Sequence, residues 1–189
     1  GIDNAPTVQA DAIGSGSASF DGVDDRVVTP STNTLSGNDT YTFSAWIKPD
    51  ATTTEGIIAI GNVYMSICVS GGYLEGRSYN SGAVLTNTDA HAITAGEWCH
   101  VVGVFTGGEV TLYKNGVSTS AVACANQSVS SQPFYLGYGG GADYFDGNIA
   151  QVGIWDAVLT QAQIQSIMEK TYEELIASET EDLISWWAL

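Results

Sequence analysis

Short segments in which apolar and polar residues alternate extend along most of this chain, and Gly, Asn, Ser and Thr separate them. In residues 41–48, Tyr41 and Phe43 belong to an apolar series with mostly polar residues between them. Successive side chains of a β-strand point to opposite faces, so this period of two predicts a strand. The polar series contains Trp46, which we expect a neighbouring loop to cover. Residues 98–105 are apolar on both faces, which is typical of a central strand covered on both sides.

Two short dipeptides predict hairpins. Asn115-Gly116 tolerates the positive φ angles of a type I′ turn, and Gly71-Gly72 also suits a tight turn. The other strands are predicted from apolar runs that end at turn residues. They lie at residues 17–20, 26–29, 56–60, 64–69, 73–79, 109–114, 117–121, 134–137 and 148–155.

One helix is predicted near the C-terminus. Thr160 and Gln163 have the spacing of a capping box, in which each side chain bonds the other residue's backbone N–H. Apolar residues then recur every three or four positions, which predicts a rim helix over about residues 161–177. Residues 183–189 are predicted to form a closing strand, and we expect residues 1–189 to form one domain. The apolar stripe of the helix consists of Ile164, Ile167, Met168, Tyr172, Leu175 and Ile176.

The charge of the chain excludes several classes of partner. Five Lys and Arg against 21 Asp and Glu give 5 − 21 = −16, and no basic cluster is present that could bind nucleic acid or an anionic membrane. No apolar run approaches the roughly 20 residues that span a bilayer, and no signal peptide is visible at residue 1. The acidity fits solubility, binding of divalent cations or adaptation to salt, and the sequence leaves these three open.

The residues needed for nucleophilic catalysis are not assembled. His91 stands in a polar stretch that reads as a loop, and His100 stands inside the apolar central strand, where we expect a structural role. Cys99 precedes His100 and must point to the opposite face of the strand, so the two side chains cannot act together. We expect Cys68, Cys99 and Cys124 to be buried free thiols, although one disulfide with a spare thiol is an alternative.

Four motifs, in order, resemble the laminin-G-like, concanavalin A-like family over about residues 18–167. They are SFDGVDDRVV at 19–28, TFSAWIKP at 42–49, EWCHVVGVF at 97–105 and YFDGNIAQVGIW at 144–155. The resemblance implies an all-β fold, an antiparallel two-sheet jelly-roll sandwich with one C-terminal rim helix. The family contains lectins, enzymes and structural modules, so it leaves the function open.

Glycoside hydrolysis would need two carboxylates that face one sugar, for which Glu-x-Asp-x-x-Glu is the expected strand motif of the family's enzymes. The nearest approach, residues 179–182, lies between the helix and the last strand. We therefore expect no enzyme but a binding or adhesion module for a glycan or protein, extracellular or on a virion surface. The alternative is a virion decoration or fibre protein that assembles with itself or with a capsid or tail partner, because the last strand resembles those of phage structural modules.

Loop aromatics are the candidate residues for binding a saccharide. Tyr138, Asp143 and Tyr144 flank a run of three glycines that lets a ligand approach closely, and Tyr79 is a further candidate. Aromatic rings can stack on sugar rings, and carboxylates can bind sugar hydroxyls. The alternative for each tyrosine is packing under its own loop or against another subunit.

Calcium is the candidate cofactor, because hard cations prefer several oxygen ligands. Asp21, Asp24 and Asp25 lie in one turn, and Asp143 and Asp146 lie in another; Asp21, Asp24 and Asp146 are the predicted ligands. The resemblance implies a calcium site that uses loop carbonyls and an acidic residue on the last strand. The positions that commonly hold Asp-Glu there are Ala150 and Gln151 in this chain, so that carboxylate is missing.

Overall fold

The computed structural model describes residues 7–9, 13–14, 16–30, 40–61, 65–80, 83–124 and 132–189, with backbone alone for 7–9, 79–80 and 83–90. Two antiparallel sheets make up most of it. The helical elements are α1 (Gln161–Ile167), a 3₁₀ turn (Tyr172–Glu174) and α2 (Ala177–Thr180). The strands are β1 (Thr7–Gln9), β2 (Ser17–Asp21), β3 (Val27–Val28), β4 (Tyr41–Pro49), β5 (Glu55–Ile60), β6 (Met65–Ser70), β7 (Tyr73–Asn80), β8 (Ala83–Ala92), β9 (Cys99–Thr106), β10 (Glu109–Lys114), β11 (Val117–Ser118), β12 (Val122–Ala123), β13 (Phe134–Leu136), β14 (Asp146–Trp155) and β15 (Leu183–Trp187).

The strand order confirms the predicted two-sheet sandwich. A nine-stranded sheet runs β1-β2-β14-β4-β9-β10-β11, with β12 beside β10 and β15 beside β14. A six-stranded sheet runs β3-β13-β5-β6-β7-β8. Every pair of described strands is antiparallel.

The main core contains apolar residues from both sheets. Phe43 of β4 and Phe105 of β9 have ring centroids 5.4 Å apart, and Phe20 packs edge-on against Phe145 at 6.2 Å. A smaller cluster lies on the other face of the nine-stranded sheet, where α1 covers Val102, Val104 and Trp155. The strand predicted at 98–105 is therefore covered on both sides, as expected.

The two predicted hairpins are present, but the strands β8 and β12 were not predicted. Asn115 and Gly116 have φ angles of 49° and 73°, as a type I′ turn requires. β6 and β7 pair across Gly71-Gly72. β8 was not predicted and contains His91, which therefore lies in a strand rather than in a loop. β8 is the last strand of its sheet, and an edge strand needs less apolar sequence than a central one.

The predicted helix over residues 161–177 is wrong in length, because α1 ends at Ile167. Two further caps begin the 3₁₀ turn and α2. The Glu174 carboxylate accepts from the backbone N–H of Thr171 at 2.8 Å, and the Glu179 carboxylate accepts from that of Ile176 at 2.9 Å. Lys170 Nζ also donates to both Glu179 oxygens at 2.8 Å. A continuous helix would separate residues 170 and 179 by about 13 Å along its axis and would break this ion pair.

The rest of the C-terminal prediction is partly right. The capping box of α1 is present, and Ile164 and Ile167 are buried. Tyr172 and Ile176 were assigned to the buried stripe but are 50% and 56% exposed. The closing strand exists as β15, which pairs with β14 and ends at Trp187 rather than at residue 189. None of the described helices has the length and apolar character needed to cross a membrane.

Trp46 and His100 are structural residues under the C-terminal segment. The indole N–H of Trp46 donates to the carbonyl oxygen of Met168 at 3.1 Å, and its ring packs on His100 at 5.6 Å. His100 Nε2 lies 2.8 Å from Ser44 Oγ, while Cys99 lies in the main core on the opposite face. Burial lowers the pKa of His100 to about 3. The expected separation of Cys99 from His100 is confirmed.

All three cysteines are free and buried, which agrees with the first of the two predictions for them. Burial raises the pKa of Cys68 to about 12 and that of Cys99 to about 11. Both thiols therefore stay protonated at neutral pH and behave as small apolar side chains.

His100→Gln should remove one acid-dependent loss of stability. Because His100 is neutral when folded and protonates near pH 6.5 when unfolded, the unfolded state binds more protons between pH 6.5 and 3. The wild-type free energy of unfolding should therefore fall on acidification by up to about 1.4 kcal/mol per pH unit from this residue. Denaturant titrations at pH 7, 5 and 4 measure the slope. His91→Gln is the control and should keep the wild-type slope. A wild-type slope in His100→Gln would contradict the low pKa assigned to folded His100.

Candidate functional site

The loop between β13 and β14, residues 137–145, packs against β5 of the six-stranded sheet. The backbone N–H of Gly56 donates to the carbonyl oxygen of Asp143 at 3.2 Å, and that of Gly139 donates to the same oxygen at 2.9 Å. A Cβ on Gly56 would come within 1.9 Å of Gly139 N, so the two backbones approach more closely than any side chain allows. We call residues 137–145 the rim loop.

Three tyrosines lie together at the rim loop. Tyr138 and Tyr144 form an isolated β-bridge, and their ring centroids are 5.0 Å apart. Tyr135 of β13 lies 5.5 Å from Tyr138 and was not identified from the sequence. The alternation within β13 could have identified Tyr135, because Phe134 and Leu136 are buried and Tyr135 faces outward. Tyr135, Tyr138 and Tyr144, all half-buried, are called the tyrosine cluster below.

An arginine from a distant segment covers one ring of this cluster. The Arg26 guanidinium carbon lies 5.3 Å from the centroid of the Tyr138 ring, within the range of a cation–π contact. Its Nη1 donates to Tyr144 Oη at 3.1 Å. Arg26 is exposed, and none of the ion pairs among the described residues includes it. Arg26 could not be identified from the sequence as part of this cluster, because 118 positions separate it from Tyr144.

Asp143 anchors the rim loop. Arg77 of β7 donates from Nη1 to Asp143 Oδ2 at 3.0 Å and from Nε and Nη2 to Glu75 Oε2 at 3.2 and 3.1 Å. Burial acts to lower the pKa of Arg77, but Cys68, Glu75 and Asp143 more than offset this and raise it. Because both carboxylates bind one guanidinium, they do not form the opposed acid pair of a glycosidase. The side chain of Tyr79, a predicted ligand contact, lies outside the described residues.

An acidic turn follows β2. Asp21, Asp24 and Asp25 each place one carboxylate oxygen within 4.8 Å of the others. Asp21 Oδ1 accepts from the backbone N–H of Val23 at 2.9 Å, which lowers the pKa of Asp21. Asp25 is only 7% exposed, and its Oδ1 is buried without a hydrogen-bond partner. Burial and then the charge of Asp21 raise the pKa of Asp25.

Asp146 lies next to this turn but is not one of the three converging carboxylates. It is the cross-strand partner of Asp21 in the pairing of β14 with β2. Burial, followed by the charges of Asp50 and Asp21, raises the pKa of Asp146. The structure therefore brings Asp21, Asp24 and Asp25 together, as expected from their shared turn, and places Asp146 across the strand pair.

The last-strand position at which the resemblance implied a calcium ligand holds an amide. Gln151 has a φ of 47° within a bulge of β14, and its Nε2 donates to the carbonyl oxygen of Ile13 at 3.3 Å. Its Oε1 accepts from the indole N–H of Trp186 at 3.1 Å. An N–H group that faces a loop carbonyl does not fit a cation, so this position has no calcium ligand set.

A cavity of about 240 Å³ lies beside β15. Tyr172, Ile184 and Trp186 line it together with Leu183 and Ser185. β15 pairs with the second half of β14, whereas Asp146 begins that strand, so the cavity is separate from the acidic turn. No described strand pairs with the outer edge of β15.

The profile of the concanavalin A-like lectin/glucanases superfamily matches residues 21–165. No curated protein sequence matches the chain. Domain 4 of AbnA, a GH43 extracellular arabinanase from Geobacillus stearothermophilus, solved in complex with arabinotriose, is similar to the chain. It has a TM-score of 0.73 at 22% identity, over 89% of this chain and 84% of that one.

Two further solved structures have the same architecture. A native heptameric SAP-like pentraxin from Limulus polyphemus has a TM-score of 0.65 at 22% identity, over 80% of each chain. A putative carbohydrate-binding protein from Bacteroides ovatus has a TM-score of 0.65 at 18% identity, over 91% of this chain and 50% of that one. At these identities the likeness shows a shared fold. With the profile match over more than half of its length and the two antiparallel sheets, the chain belongs to the concanavalin A-like lectin/glucanases superfamily, as a laminin-G-like domain.

Proposed function

We propose that this domain is a non-catalytic, extracellular module that binds a saccharide at the tyrosine cluster. The observation that carries the proposal is the grouping of three half-buried rings, with centroids 5.0 and 5.5 Å apart, under the exposed Arg26. Rings that are half-buried are held in place by packing and still offer part of their surface to a ligand. A rigid aromatic surface with a few hydrogen-bonding groups is the usual composition of a small-molecule site.

The chemistry of the cluster suits a sugar. The apolar C–H face of a sugar ring can stack on a tyrosine ring, while the phenol oxygens and the Arg26 N–H groups can bond hydroxyls. The rim loop supporting these rings is fixed by the Gly56 contact and by the Arg77–Asp143 ion pair. Because the loop is held at both points, little ordering should be needed when a ligand binds.

Several side chains that could perform acid–base chemistry have structural partners. Glu75 and Asp143 share Arg77, His100 is buried against Ser44, and His91 Nε2 lies 2.8 Å from the carbonyl oxygen of Val117. Two structures of the same fold support a binding role, since one was solved with arabinotriose and one is described as a putative carbohydrate-binding protein. These observations favour recognition over catalysis.

Tyr138→Ala and Tyr144→Ala should each weaken saccharide binding at least tenfold, because each removes a ring from the cluster. A glycan array that includes arabinotriose identifies the bound sugar, and titration calorimetry then measures the dissociation constants. The control is Tyr73→Ala, which removes a 46% exposed ring of β7 and should leave the affinity unchanged. Melting midpoints should fall by only a few degrees. Unchanged affinity in both cluster variants would contradict the proposed site.

Assembly into a larger particle is the second candidate function. The outer edge of β15, with which no described strand pairs, lies beside the cavity lined by Tyr172, and Ile176 is 56% exposed nearby in the chain. An open strand edge next to apolar side chains can pair with another chain. This observation supports self-association, as the virion decoration or fibre hypothesis requires.

Self-association predicts a mass above that of one chain in size-exclusion chromatography with light scattering at high protein concentration. Ile176→Asp should return the protein to a monomer if this surface associates, because it replaces a 56% exposed apolar side chain with a charge. Val117→Asp, which changes a 60% exposed residue of β11, is the control and should not alter the mass. A wild-type protein that is monomeric at all concentrations excludes this second function.

Calcium at the acidic turn is the metal proposal. Three carboxylate oxygens converge within 4.8 Å, and a divalent cation would relieve the repulsion between them. Residues Asp21, Asp24 and Asp25 would hold it. The structure supports only this turn and not the Gln151 position.

Calcium at 100 times its dissociation constant should stabilise the fold by about 2.7 kcal/mol, which corresponds to a rise of roughly 5–10 °C in the melting midpoint. Calorimetric melts in calcium and in EDTA measure this difference. Asp24→Asn should abolish it, whereas Asp182→Asn should keep it, because Asp182 lies in an exposed turn with a φ of 58° that Asn tolerates. The same midpoint with and without EDTA would remove calcium as a stabilising ligand.

A further inference from the structure

We infer that the saccharide bound at the tyrosine cluster carries a carboxylate, which Arg26 binds. This inference rests on the proposed function and names its ligand class.

The five basic residues of the chain are Arg26, Lys48, Arg77, Lys114 and Lys170, and all of them are described. Arg77 is paired with Glu75 and Asp143, and Lys170 is paired with Glu179. Lys114 Nζ donates to the carbonyl oxygen of Ala92. Arg26 differs from these because its only described contacts are aromatic: the face of Tyr138 and the hydroxyl of Tyr144.

Arg26 follows a carboxylate in the sequence and does not pair with it. Asp25 lies one residue away, but none of the ion pairs among the described residues joins it to Arg26. Asp25 instead turns inward, where its Oδ2 accepts from the backbone N–H of Asp21 at 3.2 Å. The guanidinium is directed away from the acidic turn and onto the tyrosine cluster.

The guanidinium retains donors for a ligand. Arginine has five N–H groups in a planar fork that matches the two oxygens of a carboxylate, and one of the five is seen to donate, to Tyr144. The contact with Tyr138 fixes the plane of the fork, so less side-chain entropy is lost when a ligand binds. Two parallel N–H···O bonds from one guanidinium to one carboxylate add energy as well as geometric specificity, so a sugar carboxylate gains more at this position than a single sugar hydroxyl does.

The net charge of −16 restricts how an acidic ligand can bind. At physiological ionic strength charges beyond about 8 Å are largely screened, so the contact with Arg26 outweighs repulsion from distant acids. The acidic turn is close, however, and opposes additional ligand charge on its side. The site therefore suits a saccharide with one carboxylate aligned on Arg26 rather than a densely charged polyanion.

The test begins with an array of neutral, sialic-acid-containing and uronic-acid-containing oligosaccharides, on which carboxylate-bearing sugars should bind most strongly. The strongest acidic binder is then compared with its carboxyl-reduced form by titration calorimetry. Reduction should weaken binding by wild-type protein at least tenfold. Arg26→Gln should weaken binding of the acidic sugar by a similar factor and leave binding of the reduced sugar within about twofold. Lys48→Gln, which removes one positive charge from β4, should change the affinity for neither the acidic nor the reduced sugar.

The outcomes separate this inference from the proposed function. If neutral sugars bind as well as acidic ones and Tyr144→Ala abolishes their binding, the function stands and the carboxylate inference is overturned. If Arg26→Gln lowers the affinity for the acidic and the reduced sugar equally, Arg26 acts through the tyrosine cluster alone, and the inference is again overturned. If no sugar on the array binds, the proposed function fails and the inference fails with it.

Discussion

The close approach of Gly56 to Gly139 is the contact on which the candidate site depends. β5 can pass beneath the rim loop because neither residue has a side chain, and the carbonyl oxygen of Asp143 accepts from the N–H groups of both glycines. The loop is then held on its other side by the half-buried pair between Asp143 and Arg77. Breaking a partly buried ion pair leaves a desolvated charge behind, so this second anchor is effective even though exposed pairs contribute little.

Anchoring the rim loop also fixes the tyrosine cluster. Tyr138 and Tyr144 stand at the two ends of the loop and meet in a β-bridge, while Tyr135 comes from the strand that leads into it. Arg26 reaches the cluster because β3 pairs with β13, which brings the segment after the acidic turn beside the loop. The register of the sheet thus brings the residues of the site together, and backbone contacts set the positions of the rings.

Much of the fold could be predicted because its signals are local. Alternation identified β4, and the Asn115-Gly116 dipeptide identified the hairpin of β10 and β11. The missed β8 is an edge strand whose only large apolar residues, Val84 and Leu85, are adjacent, so it lacks the alternating apolar series that reveals a strand. The helix was overextended because its apolar spacing continues beyond Ile167, whereas the break depends on Lys170 reaching Glu179. Periodicity does not report such a tertiary ion pair.

The candidate site could be predicted only in part, and its composition explains why. Tyr138 and Tyr144 share one loop, so their association was visible in the sequence, but Arg26 and Arg77 join that loop from 118 and 66 residues away. Asp143 was predicted to contact a ligand because of its position; the structure shows Oδ2 bound to Arg77, and the ligand contact stays a prediction.

A chain with 21 acids and five bases can pair few of its carboxylates, so the positions of its cations are informative. Two of the five neutralise carboxylates that hold the rim loop and the C-terminal segment in place, as the pairs of Arg77 and Lys170 show. Arg26 neutralises none of the described carboxylates and is packed on an aromatic ring instead. Because the fold is shared with proteins of low identity, the distinctive chemistry of this domain must come from such individual side chains and not from the sandwich.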